Sequence, residues 1–423
     1  MERFDCIVVG AGLAGLSAAY RLAKEGVEVL VLERGSYPGS KSITGGRLYL
    51  EPVKEMMPDL WDSAPFERRI SRETITLTDG SRSVSISFDD EGGASESYTV
   101  LRGTFDRWLS SKAEEAGATI VPKTRVDSIS IDRKGATMSA SGDDVECNVV
   151  LVAEGSPSVL SYKLGLLPRR EPKHYAVGVK EIIEMDSRSI EDRFGLGEDE
   201  GCATIFAGSV TKGVPGGGFL YTNRESVSLG CVANIGAANR SDIQIHELME
   251  NFKSSKPVRN LVRGGKSVEY SARTIPEYDV KHIPRLYGNR VLLLGDAACL
   301  SMNIGYAVRG MDSAIASGFY AAETVRRAAR VSDYSENSLS AYDGALRGSF
   351  VLGDMERFAK AQKFLENERI YQYYPALAGR FLQRLLSFTD IPKEGVKEIV
   401  GDEVLAGDLM KMLTDMWRMW RWL

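Results

Sequence analysis

Between Phe4 and Arg34 the chain carries the pattern that leaves it least freedom. Asp5-Cys6-Ile7-Val8-Val9 is a short apolar run of the kind found in strands buried on both faces. It leads into Gly10-Ala11-Gly12-Leu13-Ala14-Gly15, after which Leu16, Ala19, Tyr20, Leu22 and Ala23 recur at helical spacing. Gly26 closes that helix, and Val27 to Leu32 reads as a second buried strand ending on Glu33. This order predicts a seat for the adenosine diphosphate half of a dinucleotide. Gly10 permits the tight turn, Gly12 lets backbone approach the pyrophosphate, and Gly15 lets helix and strand pack closely. The helix N-terminus offers unpaired N–H groups and a partial positive charge to the phosphates. Glu33, about 20 residues beyond the glycines, is expected to accept hydrogen bonds from the ribose.

Two further strand ends join this set. Val149-Val150-Leu151-Val152-Ala153-Glu154-Gly155 and Val291-Leu292-Leu293-Leu294-Gly295-Asp296 are also apolar runs that finish on acid and glycine. A nicotinamide dinucleotide needs only the first strand end. FAD lies extended across the sheet and needs an acid near its ribityl and phosphate groups, a role Asp296 is expected to fill. Gly305 to Arg327 reads as a helix, so residues Met302 to Tyr306 are expected to bring its N-terminus under the flavin ring. There the helix dipole would stabilise the negative charge that develops on reduction.

The rest of the chain bounds the function. At 423 residues it can build two or three domains. A net charge of −5 argues against a general nucleic-acid binder. Five scattered cysteines exclude a self-contained iron–sulfur or zinc site of usual spacing and suit a reduced cytosolic protein. Three histidines argue against a histidine metal centre or a Ser–His–Asp triad, and no metal is expected. No signal peptide is expected before the first strand, and no apolar run reaches the length of a spanning helix. Ile75 to Leu77 and Val84 to Phe88, parted by Asp79-Gly80, predict a hairpin; a helix follows from Gly103 with Thr104 as its N-cap. From about Lys173 to Arg273 four short strands and a helix at Ile243 to Phe252 suggest a separate domain, with Gly216-Gly217-Gly218 among its strands. The expected fold is α/β (α+β overall). A Rossmann-like FAD-binding domain takes residues 1–170 and 270–330, an inserted antiparallel-sheet substrate domain 171–269, and a helical region 331–423.

Four stretches carry a resemblance to a known group. These are Gly39-Ser40-Lys41-Ser42-Ile43-Thr44-Gly45-Gly46-Arg47-Leu48-Tyr49, Leu101-Arg102-Gly103-Thr104-Phe105-Asp106-Arg107-Trp108-Leu109, Tyr270-Ser271-Ala272-Arg273-Thr274-Ile275-Pro276-Glu277, and Gly295-Asp296-Ala297-Ala298 through Asn303-x-Gly305-Tyr306-x-Val308-Arg309-Gly310-Met311-Asp312. The chain resembles the FixC-like electron transfer flavoprotein:quinone oxidoreductases, within the glutathione-reductase-type FAD superfamily. The resemblance implies an FAD that takes electrons from an electron transfer flavoprotein of α and β subunits and passes them to a membrane quinone, menaquinone or ubiquinone. It leaves open whether that partner is NADH-linked and bifurcates electrons between ferredoxin and quinone. On this chain Gly10, Gly12, Ala14, Gly15, Glu33 and Arg34 would hold the adenosine end, and Arg102 would approach from the side. Glu154, Gly155, Gly295 and Asp296 would meet the middle of the cofactor. Lys41, Thr44, Gly45, Gly46, Asn303, Gly305 and Tyr306 would lie toward the isoalloxazine. Single-chain relatives carry a four-iron cluster domain whose cysteines are missing here, which implies a separate ferredoxin-like iron–sulfur subunit.

No acid, base or nucleophile is required, since the flavin carries the redox chemistry. The quinone is expected near Gly217, Gly218, Phe219 and Tyr221. At the C-terminus Leu409, Met412, Met416, Trp420 and Leu423 form one stripe, with Trp417, Trp422, Arg418 and Arg421 between. Such a helix would either dock on lipid, placing a cytoplasmic protein on the inner face of the membrane, or pack against protein. The nearest rival is a geranylgeranyl-reductase-like flavoprotein that saturates isoprenoid lipids. A flavin hydroxylase is less well matched, for no second nicotinamide fingerprint is present.

Overall fold

The computed structural model describes residues 2–42, 46–90, 96–277, 283–405 and 409–422. Strand Arg3–Val9, helix Leu13–Lys24 and strand Val29–Leu32 form the expected unit. Arg3–Val9 pairs in parallel with Val29–Leu32 on one side and Asp143–Val152 on the other. Thr119–Val121 and Val291–Leu293 extend the sheet outward, again in parallel. Ile7, Val8, Val149, Val150 and Leu151 are wholly buried, since helices or loops cover both faces and every side chain along such a strand must be apolar. Parallel pairing also sets the three strand ends beside one another. The residues after Val9, Val152 and Leu293 therefore open on one crevice.

The glycines of the first turn act by contact. Gly10 has φ +106°, and a Cβ there would stand 2.4 Å from the Ala153 carbonyl oxygen. A Cβ at Gly15 would stand 2.0 Å from the Gly10 oxygen. Gly12 differs: it has φ −90°, and nothing lies within 4 Å of the space a Cβ would take.

A second sheet lies across the crevice. Its strands run in the order Lys266–Pro276, Tyr175–Glu184, Ser226–Asn234, Gly216–Thr222, Glu200–Gly208, Arg69–Thr78, Ser97–Val100 and Gly46–Tyr49, with Ser83–Asp89 on Arg69–Thr78. Thus the span 171–269 does not close a sheet of its own. Glu200–Gly208 runs parallel to Arg69–Thr78, which comes from the N-terminal part, and Lys266–Pro276 crosses the expected boundary at 270. Arg68 staples this junction. Its buried guanidinium donates to the Asn223 and Glu200 carbonyls at 2.8 and 3.0 Å and to Glu191 Oε1 at 2.9 Å. One face of the sheet packs Val179, Phe206, Leu220 and Leu229 against Leu248, Met249 and Phe252 of helix Ile245–Ser254. The other face looks into the crevice.

The expected hairpin is present, with Arg69–Thr78 antiparallel to Ser83–Asp89. Two helix starts differ from expectation. The helix Arg102–Glu115 begins after Leu101, so Thr104 lies inside its first turn rather than at its cap. The long helix runs Met311–Val331, not from Gly305. Residues before it form a small hairpin, Met302–Asn303 against Val308–Arg309, because Asn303 Oδ1 accepts from the Gly305 N–H at 2.9 Å and Gly305 takes φ +88°. The C-terminal region is helical among its described residues and includes Tyr373–Leu386 and Leu409–Trp422.

These contacts separate two glycines of one motif. Gly15→Val should cost about 3 kcal/mol or more in denaturant unfolding, because a packed carbonyl must move. Gly12→Val should unfold within about 1 kcal/mol of the parent yet purify without flavin absorbance. A full complement of FAD in Gly12→Val would refute this reading of the crevice.

Candidate functional site

A cavity of about 1220 Å³ runs from the Gly10–Ala14 turn, past Arg102, Asp296 and Gly310, to Phe219 and Tyr221 on the second sheet. At its inner end Gly12 is the N-cap of Leu13–Lys24, so first-turn N–H groups point to open space. Ala14 packs beneath, 3.0 Å from where a Cβ on Gly295 would be. Glu33 is buried, and its Oε2 accepts from the Ala11 N–H at 2.8 Å and its Oε1 from the Gly35 N–H at 2.5 Å. It pins the glycine turn to the neighbouring strand. A carboxylate has about four acceptor sites, so about two remain unused by these N–H groups. Arg34 and Lys41 are exposed at the rim.

The middle of the crevice holds opposed charges. Arg102 forks onto buried Asp106, with Nε and Nη2 each at 2.7 Å from a carboxylate oxygen, and reaches Ser42 Oγ at 3.2 Å. Asp296 sits at the strand end facing the cavity; its carbonyl accepts from the Cys299 N–H at 3.0 Å, and no described residue gives its carboxylate a hydrogen bond. Withdrawal from water raises its pKa, against the pull of Arg273 and Arg102. Glu154 lines the same cavity. Its carboxylate accepts from the Leu160 and Ser161 N–H groups at 3.0 and 2.8 Å and from Ser161 Oγ at 2.9 Å. Its acceptors serve the first turn of helix Val159–Lys163. Gly155 takes φ +70° beside the Arg273 guanidinium, where a Cβ would meet Nη2 at 2.8 Å.

Arg273 is a site residue the sequence reading passed over as such. Its Nη1 donates to the Lys41 carbonyl at 2.8 Å, tying the sheet floor to the rim. The available signal was alternation: Ser271, Arg273 and Ile275 share one strand face. Arg47 was missed in the same way. It pairs with Glu73 at 2.7 Å and lies 4.3 Å from the Tyr49 ring centre.

Toward the far end, Gly46 begins the strand Gly46–Tyr49, and a Cβ there would meet Met311 Sδ at 2.8 Å. Thr44 and Gly45 lie outside the described residues. Asn303, Gly305 and Tyr306 belong to the small hairpin, and the helix end that lines the cavity is Gly310-Met311. On the sheet, Phe219 and Tyr221 stack at 5.2 Å and 24° on the cavity face. Gly217 shares that face. Gly218 faces the other way, since a Cβ there would strike the Phe252 ring at 2.6 Å, and only its backbone reaches the cavity.

Met416 and Met419 of the last helix line the outer mouth. That helix is held by Asp415, its one buried side chain among the described residues. Tyr374 Oη donates to Asp415 at 2.6 Å and Arg369 Nε donates at 3.0 Å. Met410, Leu413, Trp417 and Trp420 face outward, Trp420 being 89% exposed. The expected stripe is therefore not core packing within this chain at Met416 or Trp420.

The crevice fits an extended dinucleotide: open backbone at Gly12, spare acceptors on Glu33, and a carboxylate at Asp296 facing the cavity. Comparison with known proteins agrees. An NAD(P)-binding Rossmann-like domain family matches residues 8–50, the ubiquinone-binding family of ETF-QO matches 175–275, and the C-terminal domain of the ETF-QO/FixC family matches 361–423. The chain is 40% identical over 418 residues to the probable electron transfer flavoprotein-quinone oxidoreductase YdiS of Escherichia coli, covering 98% of this chain and 97% of that one. It is 44% identical over 379 residues to protein FixC of Escherichia coli, covering 89% and 88%. Among solved structures, a geranylgeranyl bacteriochlorophyll reductase-like protein from Thermoplasma acidophilum aligns with TM-score 0.74 at 21% identity, covering 98% of this chain and 99% of that one. Halogenase PltM in complex with phloroglucinol and FAD aligns with TM-score 0.64 at 18% identity, covering 90% and 82%. At these identities the structural likeness speaks for the fold alone, and the isoprenoid-reductase alternative is not favoured. The chain belongs to the electron transfer flavoprotein-quinone oxidoreductase/FixC family and is an FAD-dependent oxidoreductase.

Proposed function

We propose that the protein is the FAD-carrying subunit of a complex that moves electrons from a partner electron transfer flavoprotein, of α and β subunits, to a membrane quinone. One observation carries the reading. A single cavity joins the dinucleotide fingerprint to an apolar, aromatic chamber and opens beneath a helix with outward-facing tryptophans. When bound, FAD supplies the redox chemistry, accepting electrons singly or in pairs. The chain supplies position and field. First-turn N–H groups of Leu13–Lys24 would hold the pyrophosphate, Glu33 the ribose and Asp296 the ribityl hydroxyls. The first turn of Met311–Val331 would turn the positive end of its dipole toward the ring, in place of residues 302–306. The sheet floor keeps water from the quinone ring, with Phe219 and Tyr221 as its wall and Gly217 and Gly218 leaving room beside them.

The mouth supports access from lipid. Met416, Trp417, Met419 and Trp420 are exposed beside it, with Arg421 over the Trp417 ring at 5.1 Å. Leu386, Phe388 and Ile391 add a second exposed apolar edge. No described helix is long and apolar enough to cross a membrane. A peripheral seat on the inner face, through tryptophan and arginine at the interface, suits this surface. The five free, buried cysteines leave cluster chemistry to a ferredoxin-like partner.

The test is reconstitution with the flavoprotein and ferredoxin-like subunits, NADH as donor and a soluble quinone analogue. Flavin bleaching that needs the partner, followed by quinone-dependent reoxidation, is expected. Bleaching by NADPH alone, or turnover of an isoprenoid lipid without response to quinone, would sink the reading. Replacing Trp417 and Trp420 together by serine should weaken co-sedimentation with lipid vesicles about tenfold or more while flavin content holds. Unchanged sedimentation with lost binding of the ferredoxin-like subunit would assign the helix to a protein interface.

A further inference from the structure

The floor of the chamber carries one lysine. Lys180 sits in the middle of Tyr175–Glu184, in the interior of the second sheet, and is 4% exposed. Strand alternation sends its neighbours Val179 and Glu181 to the far face. There Val179 joins the core, and Glu181 is paired to Lys253 at 2.7 Å. Lys180 projects into the cavity instead. Its Nζ lies 4.9 Å from the Phe219 ring centre and 6.0 Å from that of Tyr221. The register explains the approach. Lys180 and Phe219 both stand opposite Gly230, one from each side, and a Cβ on Gly230 would meet the Phe219 ring at 2.3 Å. The missing side chain lets the ring lie over the middle strand toward the lysine.

The fold therefore makes a flat aromatic wall with an amine at its edge. No described residue accepts a hydrogen bond from this amine or pairs with it by contact. An ammonium carries three N–H donors, and a ring face gives them no lone pair. Leaving them unmatched in an apolar chamber is costly, whereas Glu181 one residue on is paired to Lys253. The donors ask for an acceptor that is itself flat and apolar. A quinone head is that: a planar ring with carbonyl oxygens at its rim.

We propose that Lys180 is the positioning residue for the quinone, donating from Nζ to one ring carbonyl oxygen while the ring lies against Phe219 and Tyr221. This rests on the reading of the chamber as the quinone site. The charged and titratable groups around the amine are Arg102 from its helix, Glu269 and Arg273 from Lys266–Pro276, and Tyr221 from Gly216–Thr222. Burial first, then Arg102, lower the Lys180 pKa to about 7, against the pull of Glu269. The ammonium is the stronger donor and carries the charge, so affinity for the quinone should fall as pH rises through about 7.

The measurement is equilibrium dialysis of a short-chain benzoquinone against the full-length, FAD-loaded protein. Three proteins are compared: the parent, Lys180→Met, which keeps the volume without donors, and Phe219→Ala, which removes the wall. FAD content per chain serves as the check on folding. Lys180→Met should bind about tenfold to a hundredfold more weakly, and its affinity should no longer vary with pH between about 6 and about 8. Both variants should keep their FAD. Weakening by Phe219→Ala with no change in Lys180→Met would overturn the role of Lys180 and leave the chamber as the site. Unchanged affinity in both variants would overturn the site reading and the lysine's role together.

Discussion

Everything in this protein hangs on how closely a helix can approach a strand. The Gly10 carbonyl occupies the space where a Gly15 side chain would begin, and the Ala153 carbonyl does the same for Gly10. Three backbone segments, one of them distant in sequence, meet at glycines that leave the carbonyls room. That contact aims the first turn of Leu13–Lys24 along the strand ends. Parallel pairing then brings Asp296, nearly 300 residues from the start, onto the same edge. Arg68 works at longer range, holding strands from both halves of the chain in one floor opposite that edge. The crevice is what remains between the two.

The parts legible in sequence were those set by neighbours along the chain. Residues 5–34 declare strand, turn, helix and strand through period and glycine spacing alone. The hairpin around Asp79 was legible too, because Asp79 Oδ1 accepts from the Ser81 and Arg82 N–H groups and makes its own turn. What failed depended on distant partners. The pairing of Arg69–Thr78 with Glu200–Gly208 leaves no mark on either strand. Glu154 was legible as a strand-end acid, and only the fold shows that its oxygens also accept from Leu160 and Ser161. Val308 continues the helical spacing of Met311, Ile315, Gly318 and Ala322, and the turn at Asn303 and Gly305 outweighs that pattern. Lys180 stands in a predicted strand without any mark of a site residue. Its strand has both faces covered, which the sequence does not state.

The charges of the crevice form a graded set. Arg102 is neutralised by Asp106, while Arg273 is shared between backbone oxygens and the field of Asp296. A negative charge placed in the crevice would meet the field of Arg273 where water screens poorly. Nothing beyond positioned charge and excluded water is asked of the protein.

The mixed pairing of the second sheet bears on how the chain is made. A ribosome delivers Arg69–Thr78 about 130 residues before Glu200–Gly208, a delay of roughly 7 to 26 s at ordinary rates of synthesis. Ser83–Asp89 covers one edge at once. The other edge, with its unpaired N–H and C=O groups, waits for a partner still unmade. Yield in a cell should then follow temperature and chaperone supply more closely than the stability of the finished protein would suggest.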